Sequence, residues 1–301
     1  MSGQSGTVFD IGYQRYTGGR EGRGRARRAV YKDGLRTALG LGRGGWAKLL
    51  PWFFIALLAA IALVMAMIAG AAERLAGPGA AQRMNLPSHG DFYAIASIVT
   101  YVFAALVAPE LLSSDRRLGV INLYLVRPLT GTDYVVSRWS AFVTVMLGAL
   151  WLPQIILLLG LAMGDPAPAT YLQAHWIDIP KFLLSGAVMA VYITTLALLT
   201  ASFTTRRAYA AVFLVGLFAI TTPFNAGMAS EMSGPAAQWI SMFNLTNIPL
   251  HVGDVIFGGL SGLTEEAPAH TLPASVKVAW YFAWTLVPAA VLWWRYRRLT
   301  P

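Results

Sequence analysis

The sequence predicts an all-α polytopic membrane protein with six transmembrane helices, an N-terminal amphipathic interfacial helix, and a re-entrant or outer helical segment before the last span. Three observations carry this reading. Hydrophobic residues make up 56% of the 301 and charged residues only 12%, with a mean hydropathy of +0.55, far from the balance of a soluble domain. Apolar runs long enough to cross about 30 Å of hydrocarbon recur six times. Lys and Arg are also distributed very unevenly over the segments between those runs.

The chain divides into a basic tail with an interfacial helix, residues 1–46, and a six-span domain, residues 47–301. Residues 1–25 are rich in Gly and Arg and carry too little apolar material to bury a core. No secretory signal is expected, since the first apolar run starts at Leu49. From Ala26 the character changes: Val30, Leu35, Ala38 and Leu39 recur at roughly helical spacing beside Arg27, Arg28, Lys32 and Arg36. Trp46, Lys48 and Trp52 follow at the membrane edge. Such a basic amphipathic helix is expected in the headgroup plane, either as a topology anchor or as a contact for a cytoplasmic partner. Gly34 and Gly40 weaken it by about 1 kcal/mol each relative to Ala.

The spans fall at about 49–72, 92–112, 139–163, 182–204, 208–226 and 276–294. The first, third, fourth and fifth are free of charge, whereas the second ends in Pro109 and Glu110 and the sixth contains Lys277 and Pro288. With six spans both termini share one side, and nineteen of the 23 Lys and Arg lie on that side. Short cytoplasmic segments carry the basic excess, so both termini are expected in the cytoplasm of a cell bounded by this plasma membrane. The same placement accounts for the net charge of +9 without nucleic acid.

Residues 232–253 are nearly free of charge yet broken by Pro235, Asn244, Asn247, Pro249 and His251. A seventh span here would put Arg295, Arg297 and Arg298 outside, against the charge rule. A helical pair buried against its neighbours fits, as does an ordinary amphipathic outer loop. Asn244-Leu245-Thr246 is also a glycosylation sequon, a triplet that chance supplies easily.

The connection after the second span is the most informative. It reads Ala108-Pro109-Glu110-Leu111-Leu112-Ser113-Ser114-Asp115-Arg116-Arg117-Leu118-Gly119-Val120-Ile121-Asn122-Leu123-Tyr124-Leu125-Val126-Arg127-Pro128. A charged head is followed by an apolar stretch that water would not favour, so it should dock on protein or lie at the bilayer surface. Asp115 near the start of a helix and Arg127 near its end would complement the macrodipole, and Pro128 would stop it.

This loop resembles that of type-2 ABC exporter permease subunits, in which an acidic residue, paired Arg, Gly and a short apolar run end at Arg-Pro or a similar Pro. The six-span plan is similar too, over most of the chain from about Ala26. The tail Phe9-Asp10-Ile11-Gly12-Tyr13 looks like that of actinobacterial-type members. The resemblance implies a coupling helix resting on a separate ATP-hydrolysing subunit, with Asp115, Arg116, Arg117, Gly119, Leu123, Tyr124, Arg127 and Pro128 as contacts. It also implies a second permease copy, with ATP and magnesium held by the partner subunit, and a substrate path along the second and fifth spans. Ser97, Thr100, Tyr101, Ala104 and Ala108 share one face of the second span, and Leu214, Phe218, Thr221, Thr222 and Asn225 one face of the fifth. Of these, Ser97, Thr100, Tyr101, Phe218, Thr221, Thr222 and Asn225 are the candidate path, although helix packing uses the same small and hydroxyl residues. The alternative makes the double Arg a topology anchor and the apolar stretch an interfacial helix.

The chain has no Gly-x-x-x-x-Gly-Lys-Ser/Thr loop, so ATP hydrolysis is not expected in it. No motif of a metalloprotease or serine hydrolase occurs, and there is no Cys. His89, His175, His251 and His270 all fall on the outer side, scattered over its loops, and no metal site is expected. The function expected is the permease subunit of an ATP-driven exporter of a small amphipathic molecule or lipid. The alternatives are an ion-coupled secondary transporter, and a permease-like factor for copper-enzyme maturation that would rest on the four His.

Overall fold

The computed structural model describes residues 22–42, 44–77, 79–117, 119, 129–265 and 267–298. Among them the protein is all-α, and six helices are long and apolar enough to cross a membrane. An entry helix, α1 (Arg23–Ala38), precedes the spans α2 (Gly45–Ala76), α3 (His89–Arg117), α4 (Gly131–Gly164), α5 (Asp178–Phe203) and α6 (Arg207–Ser230). The helices α7 (Pro235–Ser241) and α8 (Ile248–Phe257), then single turns at Gly262–Glu265 and Pro268–Thr271, precede the last span, α9 (Ala274–Arg297). The protein is a polytopic membrane protein, and the expected segment between the fifth and last spans is this helical pair.

Every spanning helix outlasts its apolar run. The 34 residues of α4 extend about 50 Å at 1.5 Å per residue, against about 30 Å of hydrocarbon. Local capping explains the early start. Thr130 and Asp133 form a reciprocal capping box, with the Asp133 N–H donating to Thr130 Oγ1 at 3.2 Å and the Thr130 N–H to Asp133 Oδ2 at 3.1 Å.

The second and fourth spans form the centre of the bundle. The most apolar 18-residue window of α3 and of α5 is 67% buried, against 17% for α6 and 28% for α2 and α9. The peripheral spans leave large apolar side chains uncovered; Val212, Phe213, Ile220 and Phe224 of α6 are all exposed.

Span one packs on span three through small residues. A Cβ on Gly160 would lie 2.5 Å from the Ala66 Cβ, and one on Gly164 would lie 2.8 Å from the Gly70 Cα. Gly160-x-x-x-Gly164 thus lets two backbones meet where lipid offers no hydrophobic drive for association.

The entry helix docks on α4, with Val30, Gly34 and Ala38 forming its buried stripe. This corrects the view of Gly34 as a weakness, since a Cβ there would stand 2.7 Å from the Ala141 Cβ. Gly40 lies beyond the helix at φ +66°. The Leu41 N–H donates to Arg36 O at 2.7 Å and the Gly40 N–H to Thr37 O at 3.2 Å, closing the helix in a Schellman motif.

Candidate functional site

A cavity of about 560 Å³ opens between α3, α6 and the α7–α8 segment. Its inner wall follows from one break in the helices. After α7 the chain turns through residues 242–247, and the carbonyls freed by the break are met by buried and half-buried aromatic side chains. Tyr192 Oη donates to Leu245 O at 3.0 Å, Tyr101 Oη to Thr246 O at 3.1 Å, and Trp280 Nε1 to Met242 O at 2.8 Å. Buried non-helical backbone persists where protein groups satisfy it in this way.

Polar side chains line the same cavity. Thr222 Oγ1 lies 3.0 Å from Thr246 Oγ1 and donates to Asn244 Oδ1 at 3.2 Å. Asn244 Oδ1 also accepts the Thr246 N–H at 3.1 Å. Asn244 is buried and committed to this turn, so the sequon is a structural element of the break. Asn225 Nδ2 donates to Thr221 O at 2.7 Å, and the Tyr101 and Phe218 rings meet at 3.9 Å between centroids. The cavity is thus apolar with a short row of amide and hydroxyl groups, the composition that holds amphipathic ligands by surface area.

Of the candidate path residues, Tyr101, Phe218, Thr222 and Asn225 line this cavity. Ser97 and Thr100 are fully buried, and their hydroxyls return to their own helix, at Ala94 O (2.7 Å) and Ala96 O (2.8 Å). Thr221 Oγ1 donates to Phe218 O at 3.4 Å. Ser241, Asn244, Thr246 and Asn247 were not among the candidates, yet they form one wall. Their signal was the uncharged, Asn- and Pro-broken stretch itself.

At the face that carries the termini, polar contacts join six helices. Asp115 accepts from Tyr134 Oη at 2.7 Å and from Arg138 Nη2 at 2.6 Å, and Arg138 also meets Asp33 of α1 at 2.8 Å. Asp133 holds Arg23 at 2.7 Å and Arg27 at 2.6 Å. The hydrogen bond and charge of Asp133 push the Arg23 guanidinium above its ordinary pKa. Arg116 and Arg295 both donate to Ser202 O at the end of α5, where cations complement free carbonyls. Glu110 pairs with Arg207 of α6.

Among the expected coupling residues, Asp115 is turned inward, Arg116 is tied to α5, and Arg117 is exposed. Asp115 lies in the last turn of α3, and the stretch for which the macrodipole argument was made continues into residues outside the described ones. Gly119 sits at φ +67° with its N–H on Arg116 O at 3.3 Å. Leu123, Tyr124, Arg127 and Pro128 lie outside the described residues, as does the Phe9–Tyr13 stretch.

The four His separate in the fold. His89 Nδ1 lies 2.5 Å from Gln154 Oε1, His175 and His270 contact backbone carbonyls, and His251 is buried in α8. Among the described residues no three His, Asp or Glu side chains converge.

Fold and cavity together define a six-span α-helical membrane protein with a ligand-sized cavity between its second and fifth spans. No protein-family model matches the sequence, and no curated protein matches it.

Proposed function

We propose that this chain is the permease subunit of an ATP-driven ABC exporter that moves a small amphipathic molecule or lipid. The observation that carries the reading is the 560 Å³ cavity between the second and fifth spans, lying where the loop resemblance leads one to expect a substrate path. Tyr101, Phe218, Thr222 and Asn225 contact the cargo in this reading. The chain itself is no enzyme; ATP and magnesium belong to a separate nucleotide-binding subunit, and a second permease copy completes the path. It works in the plasma membrane with both termini cytoplasmic, the side favoured by the basic excess.

Transmission runs through the terminal face. Closure of the ATPase pair presses on the loop after α3, and the Asp115–Arg138–Asp33 bridge passes that displacement to α4 and α1 as one packed unit. Arg117, exposed at the end of α3, is the described coupling residue best placed to meet the partner.

Affinity purification of the tagged chain from its own host, followed by an ATPase assay, tests this. A stoichiometric partner with ATPase activity is expected, and Arg117→Glu should abolish transport without loss of the folded chain. A lone chain without partner or hydrolysis would overturn it. The ion-coupled alternative has one observation in its favour, the buried His251 and Asp254 on α8, the kind of group that proton and ion carriers use.

A further inference from the structure

On the face opposite the termini lies a second cavity of about 220 Å³, between the start of α3, the first turns of α5, and α8 with the loop that follows it. Two of its lining residues are buried with hydrogen bonds unmet. Ser185 is 4% exposed and its Oγ has no partner. Asp254 is 7% exposed; its Oδ1 accepts the Ser261 N–H at 3.0 Å, while its Oδ2 has none. The nearest basic group to Oδ2 is Nδ1 of His251, 3.8 Å away and beyond hydrogen-bond reach. Lys181, the one ammonium on the cavity wall, lies 3.9 Å from Asp178, likewise beyond hydrogen-bond reach, and forms no ion pair with Asp254.

A carboxylate oxygen and a hydroxyl buried without partners are costly unless something supplies donors. Asp178 and Asp254 against Lys181 leave the wall net negative whenever the His251 imidazole beside Asp254 is neutral, and a net negative wall selects a cation. The volume exceeds what a dehydrated metal ion needs, and Met189, Leu250 and Phe257 add apolar surface beside the acid. We propose that this cavity binds a small organic ammonium ion, with its N–H groups directed to Asp254 and Ser185 and its hydrocarbon body lying on Met189, Leu250 and Phe257. The ammonium carries three donors in tetrahedral array, enough for both orphaned acceptors and a water. This site is separate from the cavity of the second and fifth spans, and the inference stands whether or not the chain is an exporter.

The test is equilibrium dialysis of radiolabelled n-butylamine against the full chain in mild detergent near neutral pH, with thermal unfolding followed in parallel. Saturable binding is expected, and n-butylammonium chloride should raise the unfolding midpoint where sodium or potassium chloride at equal ionic strength does not. Asp254→Asn should weaken binding by about tenfold or more, the scale of a lost charge-assisted hydrogen bond. Ser185→Ala, which leaves every charge in place, should weaken it by a smaller factor and keeps the test decisive if Asp254→Asn does not fold. Absence of saturable binding, an equal shift with potassium, or unchanged affinity in Ser185→Ala and Asp254→Asn would overturn the assignment.

Discussion

Arg138 shows how much one side chain can organise. Its guanidinium is buried and bridges Asp33 of the entry helix and Asp115 of the second span, at 2.8 and 2.6 Å. Removing one partner of such a pair leaves charge without compensation, which is more harmful than never having built it. Arg138→Gln should therefore destabilise the protein by about 3 kcal/mol, read as a lowered thermal midpoint in detergent. Tyr192 works on the neutral side of the same principle. Its hydroxyl satisfies Leu245 O at the helix break, so Tyr192→Phe should cost about 1 to 2 kcal/mol while the ring continues to fill its place. An unchanged unfolding midpoint in Tyr192→Phe would show that water or another group serves that carbonyl.

Helix contacts are set by what is missing from side chains. Gly160 and Gly164 bring α4 against α2, and a side chain at Gly164 would meet the Gly70 backbone. Gly164→Leu should separate the two helices and lower the unfolding midpoint and the yield of monodisperse protein. Gly148→Leu on the same helix is the control, since a Cβ there meets nothing within 4 Å. The entry helix is held differently, by a small-residue stripe and by Arg23 and Arg27 converging on Asp133, whose side chain has no exposed surface. Asp133→Ala removes both pairs and the capping box, so trypsin should cleave at Arg25 and Arg28 faster than in the parent protein. Because half-exposed arginines are screened by salt, raising ionic strength should speed cleavage in the parent and have less effect in the variant.

Over the whole molecule, α3 and α5 form the packed centre, and α2, α6 and α9 are the least buried spans. The larger cavity lies at the junction of one central and one peripheral span, where the broken α7–α8 segment keeps the helices from closing up. Under the exporter reading, filling it should block the path without disturbing the bundle. Ala226→Trp, which places bulk at the cavity wall, should reduce transport by about tenfold or more with the unfolding midpoint little changed. Transport at the parent rate would remove this cavity from the path.

The class of fold and the number of spans were determined by the sequence itself, because a backbone in hydrocarbon must close its own hydrogen bonds and only long apolar helices do so. The interruption at 232–253 was legible for the same reason, through Asn244, Asn247 and Pro249. Helix ends were less legible. The start of α4 depends on Thr130 and Asp133 bonding each other, and hydropathy alone does not register that pair. Helical periodicity picked out Tyr101, Phe218, Thr222 and Asn225, which line the cavity, but Ser97 and Thr100 serve their own helix, since a spacing rule gives the face and not the partner of each hydroxyl. Only the tertiary structure decided that Gly34 is needed for close approach, that Asp115 faces inward to Arg138, that Glu110 belongs to Arg207, and that Ser185 and Asp254 share a cavity wall. Each of these joins residues far apart in the chain. Local pattern governs how a segment crosses the membrane, whereas which side chains then meet depends on how the finished helices pack.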